Sequence, residues 1–349
     1  MPDNDLKAVF SQLSTLGKSV EQRMYDFLLK DIHSDFKDLI SWQTRTGGKR
    51  LRPALTLLFA QAFGSSSNDS EVLSAAAGIE LIHTYSLILD DIIDRGDLRR
   101  GKPTTRAKYG DEFAILSAII HREAVYEAAK ATGKYMTQSI AIYSQATRRL
   151  TEGERLDVLF EQKEDREHEY FMKHQYSEVT LADYRRMITG KTAALLAAAC
   201  RLGAIVGGAS LDEQACAEKY GWSVGVAFQI ADDYLDIFSA VDTFGKVIYK
   251  DIIEQKLGNF VIVQAFKKLN ENDAQSLKNA ITDKELTDEE RVKVCIPLIQ
   301  KSQIKKYVMD EAEKWSHKAK MILSTIEFKD EKKKTLLEKI ADFSVKRAY

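Results

Sequence analysis

The chain has 349 residues, 44% hydrophobic and 30% charged, the balance of a folded globular protein and not of a disordered one. Its 51 basic and 52 acidic side chains nearly cancel, to a formal charge of -1, so no overall field directs it to nucleic acid or an anionic membrane. Proline occurs four times, and a long chain so poor in breakers is expected to be almost wholly α-helical.

From the start, MPDNDLKAVF lacks the basic residues and apolar core of a secretory signal. The spacing of apolar residues predicts helices over about 5–31, 33–45, 51–63, 71–95, 111–131 and 136–163. Further helices are predicted over about 180–206, 211–239, 251–270, 288–300, 302–324 and 330–347. Breaks fall at GSSSND before Glu71, RGKPTT, VGGAS before Leu211, and TFGK. AAAGIELIHTYSLIL and GKTAALLAAACRLGAIVGG are apolar nearly all round, as helices in the middle of a bundle are. Residues 271–349 carry one apolar stripe and a charged face, as outer helices do.

No solenoid repeat, low-complexity linker or domain boundary is visible, so one all-α domain over 1–349 is expected. No run approaches the ~18 uninterrupted apolar residues of a membrane span. Cys200, Cys216 and Cys295 are odd in number and far apart, which fits free thiols in a reducing, cytoplasmic setting.

The apolar run from Ala75 ends in Asp90, Asp91 and Asp94, and VGVAFQIADDYLDIF ends another apolar helix in Asp232, Asp233 and Asp236. On a helix the outer two aspartates of D-D-x-x-D lie ~40° apart and one turn along, while the middle one points ~100° aside. One such cluster reads as a solvated turn. Two of them, each tipping a helix too apolar for the surface, imply a cationic counterpart. All-oxygen ligands favour magnesium ions, which commonly bridge carboxylates to a phosphate-bearing substrate, and no His/Cys spacing suggests zinc.

Cations for a diphosphate stand nearby. TGGKRLRP places Lys49, Arg50 and Arg52 at a helix start, where free N–H groups also attract phosphate. Arg99 and Arg100 follow the first aspartates, and Lys191, Lys246 and Lys256 lie in later segments. The TGKT at 189–192 is no P-loop, because the required first glycine is Arg185 and no strand precedes it.

GGKRLRP, LILDDIIDRGDLRRGKPT, GKTAALLAAACRLGAIVGGA and FQIADDYLDIF…FGK…KDIIEQK resemble, in that order, the motifs of trans-isoprenyl diphosphate synthases, strongly over 40–260. The resemblance implies a single large helical bundle around a central cavity, usually a homodimer. Its reaction joins an allylic diphosphate to isopentenyl diphosphate, head to tail, and releases pyrophosphate. It implies several magnesium ions held by Asp90, Asp91, Asp94, Asp232, Asp233 and Asp236. It assigns Arg99, Lys191, Lys246 and Lys256 to the allylic diphosphate, and Lys49, Arg52, His83 and Arg100 to isopentenyl diphosphate. Thr192 and Gln229 would turn oxygens toward the developing cation.

Chain length is read from Tyr85, five residues before Asp90, whose ring is expected to stop product growth; Ser86 beside it is small. This pattern resembles geranylgeranyl diphosphate synthases, with farnesyl diphosphate synthases as the alternative. Leu89 stands where many relatives have histidine, and AILSAIIHREAVYEAA replaces a Gly-Asp and leucine-rich segment. Ile119, Ile120, His121 and Tyr126 are therefore expected to reshape the cavity floor or the dimer face. A terpene cyclase would replace the second aspartate motif, and a non-catalytic subunit would lose aspartates or arginines that this chain keeps.

Overall fold

The computed structural model describes residues 4–66, 68–162, 168–239 and 248–346, and helices follow one another along them. The first are α1 (Asn4–Leu28), α2 (Lys37–Arg45), α3 (Leu51–Ala62) and α4 (Ser70–Ile93). A hairpin of two-residue strands, β1 (Leu98–Arg99) and β2 (Lys102–Pro103), precedes α5 (Thr105–Tyr109), α6 (Asp111–Lys130) and α7 (Met136–Leu159). Next come α8 (Glu169–His174), α9 (Leu181–Ile188), one π turn at Thr189–Ala193, α10 (Ala194–Val206) and α11 (Leu211–Phe238). The rest are α12 (Lys250–Ile253), α13 (Phe260–Lys268), α14 (Glu271–Thr282), α15 (Asp288–Lys301), α16 (Lys305–Leu323) and α17 (Glu331–Lys346). The all-α class expected from composition is the one found.

The chain divides into two compact units. The first holds Met1–Thr147, Leu195–Gly221 and Ala319–Phe343, and α4 is its central helix. Asp69 starts α4 by accepting from the Glu71 and Val72 amides. The helix packs against α1, α3 and α6, which explains why its sequence is apolar on every side. Each Leu or Ile buried there stabilises the unit by ~1.5–3 kcal/mol relative to exposure. In the same unit the Phe59 and Tyr220 rings meet edge to face at 5.4 Å, and the Tyr220 hydroxyl donates to the Leu337 carbonyl at 2.7 Å.

The second unit holds Arg148–Ala194, Trp222–Lys318 and Ser344–Tyr349. Its core is a contiguous apolar cluster that includes Leu156, Phe160, Tyr184, Ile230, Phe260 and Ile299. Capping boxes, Thr180 with Asp183 and Thr287 with Glu290, satisfy backbone donors at the starts of α9 and α15.

Two predicted helices are interrupted. The one over 180–206 carries the π turn, and the one over 251–270 splits into α12 and α13. At the split Gln255 is left-handed (φ 56°), and Asn259 restarts the helix by accepting from the Val261 amide. Ser70–Ile93 and Leu181–Val206 are long and apolar enough to cross a membrane, but 78% of each apolar window is buried within the protein. The three cysteines are free thiols; Cys200 and Cys295 are buried and Cys216 half-buried.

Candidate active site

In the first unit α4 delivers its aspartates as the spacing predicts. The Asp94 amide donates to the Asp90 carbonyl at 2.8 Å, so these two share one end of the helix, half-buried, while Asp91 turns inward. Arg99 reaches back to Asp91: Nε lies 2.9 and 3.0 Å from the two carboxylate oxygens, and Nη2 lies 2.7 Å from Oδ1. The hairpin makes this possible, since Arg100 and Gly101 both adopt positive φ in the two-residue turn that returns the chain.

The cations at the start of α3 separate. Arg50 is left-handed and buried, donating from Nη1 to Glu80 Oε1 (2.7 Å) and from Nη2 to the Thr44 carbonyl (2.8 Å). It is therefore not part of the expected phosphate cradle, because its guanidinium serves the interior. Lys49 is exposed, and Arg52 places Nη1 3.2 Å from His83 Nε2. Burial, then Arg52, Arg100, Arg99 and Arg50, hold His83 well below the ordinary imidazole range, so Nε2 is the acceptor. The Arg100 guanidinium lies against Gly48.

Tyr85 is 6% exposed and donates to Thr147 Oγ1 at 3.0 Å, while the Ser86 hydroxyl is turned onto the His83 carbonyl. Of the atypical α6 residues, Ile119 and Tyr126 are 52% and 46% exposed. His121 is buried, with Nδ1 2.8 Å from the Ser117 carbonyl and Nε2 3.5 Å from Thr44 Oγ1.

In the second unit the middle aspartate is again the buried one. Asp233 accepts from the Tyr184 hydroxyl (2.7 Å), the Phe260 amide (2.8 Å) and Gln229 Nε2 (2.9 Å). Thr192 donates to Gln229 Oε1 at 2.6 Å, so Thr192, Gln229 and Asp233 form one chain of hydrogen bonds. Asp236 accepts from the Lys250 and Asp251 amides. Lys191 and Lys256 meet at Asp157 Oδ2, at 2.7 and 3.1 Å. Lys246 lies outside the described residues.

Among the described residues no three His, Cys, Asp or Glu side chains are gathered as a metal-binding group. The carboxylates nonetheless suit a hard divalent ion. Burial and then Asp251 push Asp236 up to about 8 and Asp233 well above the ordinary range. Carboxyl groups crowded in this way are relieved by added positive charge.

The sequence profile of the polyprenyl synthetase family matches residues 33–299. The chain belongs to this family. Polyprenyl synthetases are prenyltransferases, and this chain is an isoprenyl diphosphate synthase by its relatives. A short chain isoprenyl diphosphate synthase of Methanothermobacter thermautotrophicus is 35% identical over 305 residues, 87% of each chain. A geranylfarnesyl diphosphate synthase of Aeropyrum pernix is 33% identical, covering 93% of this chain and 99% of that one. The crystal structure of geranylgeranyl pyrophosphate synthetase from Pyrococcus horikoshii superimposes with a TM-score of 0.85 at 28% identity, over 98% of this chain and 99% of that one.

Several residues of this polyprenyl synthetase are not singled out by its sequence. Glu154 and Asp157 lie in the acid-rich last turns of α7 and Glu161 just beyond its end, yet all three are buried. The available signal is the i, i+3 spacing of Glu154 and Asp157, which puts these two on one side of α7. Asp251 follows the second aspartate motif and accepts from Asn259 Nδ2 at 2.8 Å. Tyr184, the buried donor to Asp233, carries no local signature.

Proposed function

We propose that this synthase elongates an allylic diphosphate with isopentenyl diphosphate to the twenty-carbon geranylgeranyl diphosphate. The observation that carries the length is Tyr85, a buried ring on the helix of the first aspartates, anchored to Thr147. Asp90, Asp94, Asp232 and Asp236 are assigned to magnesium. Asp91 and Asp233 are engaged by Arg99 and by Tyr184, Phe260 and Gln229, and so support that set. Bound magnesium supplies positive charge to the departing diphosphate.

Arg99, Lys191 and Lys256 donate to the allylic diphosphate, with Lys246 assigned there by sequence alone. Lys49, Arg52 and Arg100 bind isopentenyl diphosphate, and neutral His83 orients Arg52 through its 3.2 Å contact. The Thr192 and Gln229 oxygens face the allylic cation, whose apolar surroundings exclude water that would capture it. The departing pyrophosphate takes the final proton. The exposed α6 side chains Phe113, Leu116, Ile119 and Tyr126 form the apolar face of a homodimer.

The experiment is incubation of purified protein with magnesium, labelled isopentenyl diphosphate and dimethylallyl, geranyl or farnesyl diphosphate, followed by chain-length analysis. A dominant twenty-carbon product is expected. A fifteen-carbon product would reassign the length, and no elongation of any primer would refute the synthase reading.

A further inference from the structure

Two backbones touch in the second unit with no side chain between them. A methyl group on Gly153 of α7 would overlap the Lys191 amide nitrogen, and one on Gly190 would come within 2.5 Å of the Arg149 carbonyl oxygen. Asp157 stands one turn after Gly153 on the same face, so this contact aims its carboxylate at the Lys191 side chain. Lys256 is fixed separately, by its β-bridge to Glu161 and by the Leu257 amide bonded to the Phe160 carbonyl.

One oxygen receives both ammonium groups: Asp157 Oδ2 lies 2.7 Å from Lys191 Nζ and 3.1 Å from Lys256 Nζ. Glu154 approaches Lys191 at 2.8 Å, while Glu254 and Glu161 approach Lys256 at 3.2 and 3.5 Å. Two ammonium groups this close inside a protein repel each other, and each favours loss of the other's proton. A carboxylate between them removes the repulsion and fixes their spacing.

We propose that Asp157 is a positioning residue that holds Lys191 and Lys256 as one charged pair for the allylic diphosphate. The inference rests on the reading of these two lysines as diphosphate ligands. Asp157 is 7% exposed, and although burial opposes its charge, Lys191 and Lys256 keep its carboxyl well below the ordinary range. It is therefore ionised whenever the two ammonium groups are. An ammonium has three N–H donors, so Lys191, which faces Asp157 and Glu154, keeps one for a phosphoryl oxygen. Lys256, which faces Asp157, Glu254 and Glu161, keeps its bond to Asp157 and gives up the 3.5 Å contact with Glu161 to donate there.

The test compares Asp157→Asn and Asp157→Glu with the parent, in kinetics with farnesyl and isopentenyl diphosphates and in calorimetric binding of inorganic pyrophosphate with magnesium. Asp157→Asn is expected to raise KM for farnesyl diphosphate and weaken pyrophosphate binding roughly tenfold. KM for isopentenyl diphosphate should stay within about twofold, and Asp157→Glu should recover most of the loss. An unchanged farnesyl diphosphate KM, or an equal rise in both substrates' KM, would overturn the proposal.

A second readout leaves Asp157 in place. Lys191→Ala and Lys256→Ala should weaken pyrophosphate binding less in combination than the sum of the single losses; additive losses also overturn the pairing. A parent protein that elongates nothing would instead refute the functional reading itself.

Discussion

The Tyr85 hydroxyl donates to Thr147 Oγ1 at 3.0 Å, tying α4 to α7 five residues before Asp90. Tyr85→Ala is expected to lengthen the main product by at least one five-carbon unit. Tyr85→Phe, which keeps the ring and loses only the bond, should leave length unchanged. A second ring, Tyr143 of α7, lies against α4 further from Asp90, where it packs on Gly78 and donates to the Ala75 carbonyl at 2.8 Å. Gly78 is seven residues from Tyr85, about 10 Å along the axis. Growth in Tyr85→Ala should therefore stop at Tyr143, and the Tyr85→Ala/Tyr143→Ala double variant should run further. Reversed-phase analysis of dephosphorylated products reads both, and an unaltered Tyr85→Ala profile removes this ring as the stop.

The aspartates should divide into two kinds. Asp90→Ala and Asp232→Ala are expected to lower turnover by orders of magnitude with little change in melting temperature. Asp233→Ala leaves two buried donors, the Tyr184 hydroxyl and the Phe260 amide, and the half-buried Gln229 amide without their acceptor, at ~1–3 kcal/mol for each buried unsatisfied group. It should lower the melting temperature by several degrees as well as the rate. Equal melting temperatures for Asp232→Ala and Asp233→Ala would show that burial of the middle carboxylate is not structural.

Much of this is legible in the chain. The apolar runs before Asp90 and Asp232 mark the central helices, because a helix buried on all sides has no polar face to confuse its period. The break before α13 is also on view in Gly258–Asn259, a turn pair inside a predicted helix. Arg50 is not separable by sequence, since Lys49, Arg50 and Arg52 look alike there; the left-handed backbone at Arg50 sends it to Glu80. Asp157 stays hidden because charge density alone does not say which side of α7 is covered.

His121 contributes to the pH dependence of stability. Burial lowers its folded value from 6.5 to about 4, so the unfolded chain binds the proton more readily. Its contribution is complete above pH 6.5 and is lost as pH falls toward 4, by up to about 3 kcal/mol. Urea unfolding of the parent should show this acid decline more steeply than His121→Gln. Parallel curves for the two proteins would discount the imidazole.

The exposed face of α6 should govern assembly. Leu116→Glu with Ile119→Glu places two charges among apolar side chains that α6 leaves uncovered in its own unit. Sedimentation velocity is expected to show a dimer for the parent and a monomer for this variant. A parent that sediments as a monomer would discard the homodimer.

The π turn at Thr189–Ala193 has a consequence for how this enzyme could be altered. Such a turn holds one residue more than the α-helical turn it replaces, so the aim of Lys191 is set by counting as well as by chemistry. A scan of point substitutions would pass over it. Deleting a single residue there would let the helix close into regular winding with the later side chains still facing as before, so the change would fall on the aim of Lys191 and Thr192, a lesion with no counterpart among replacements.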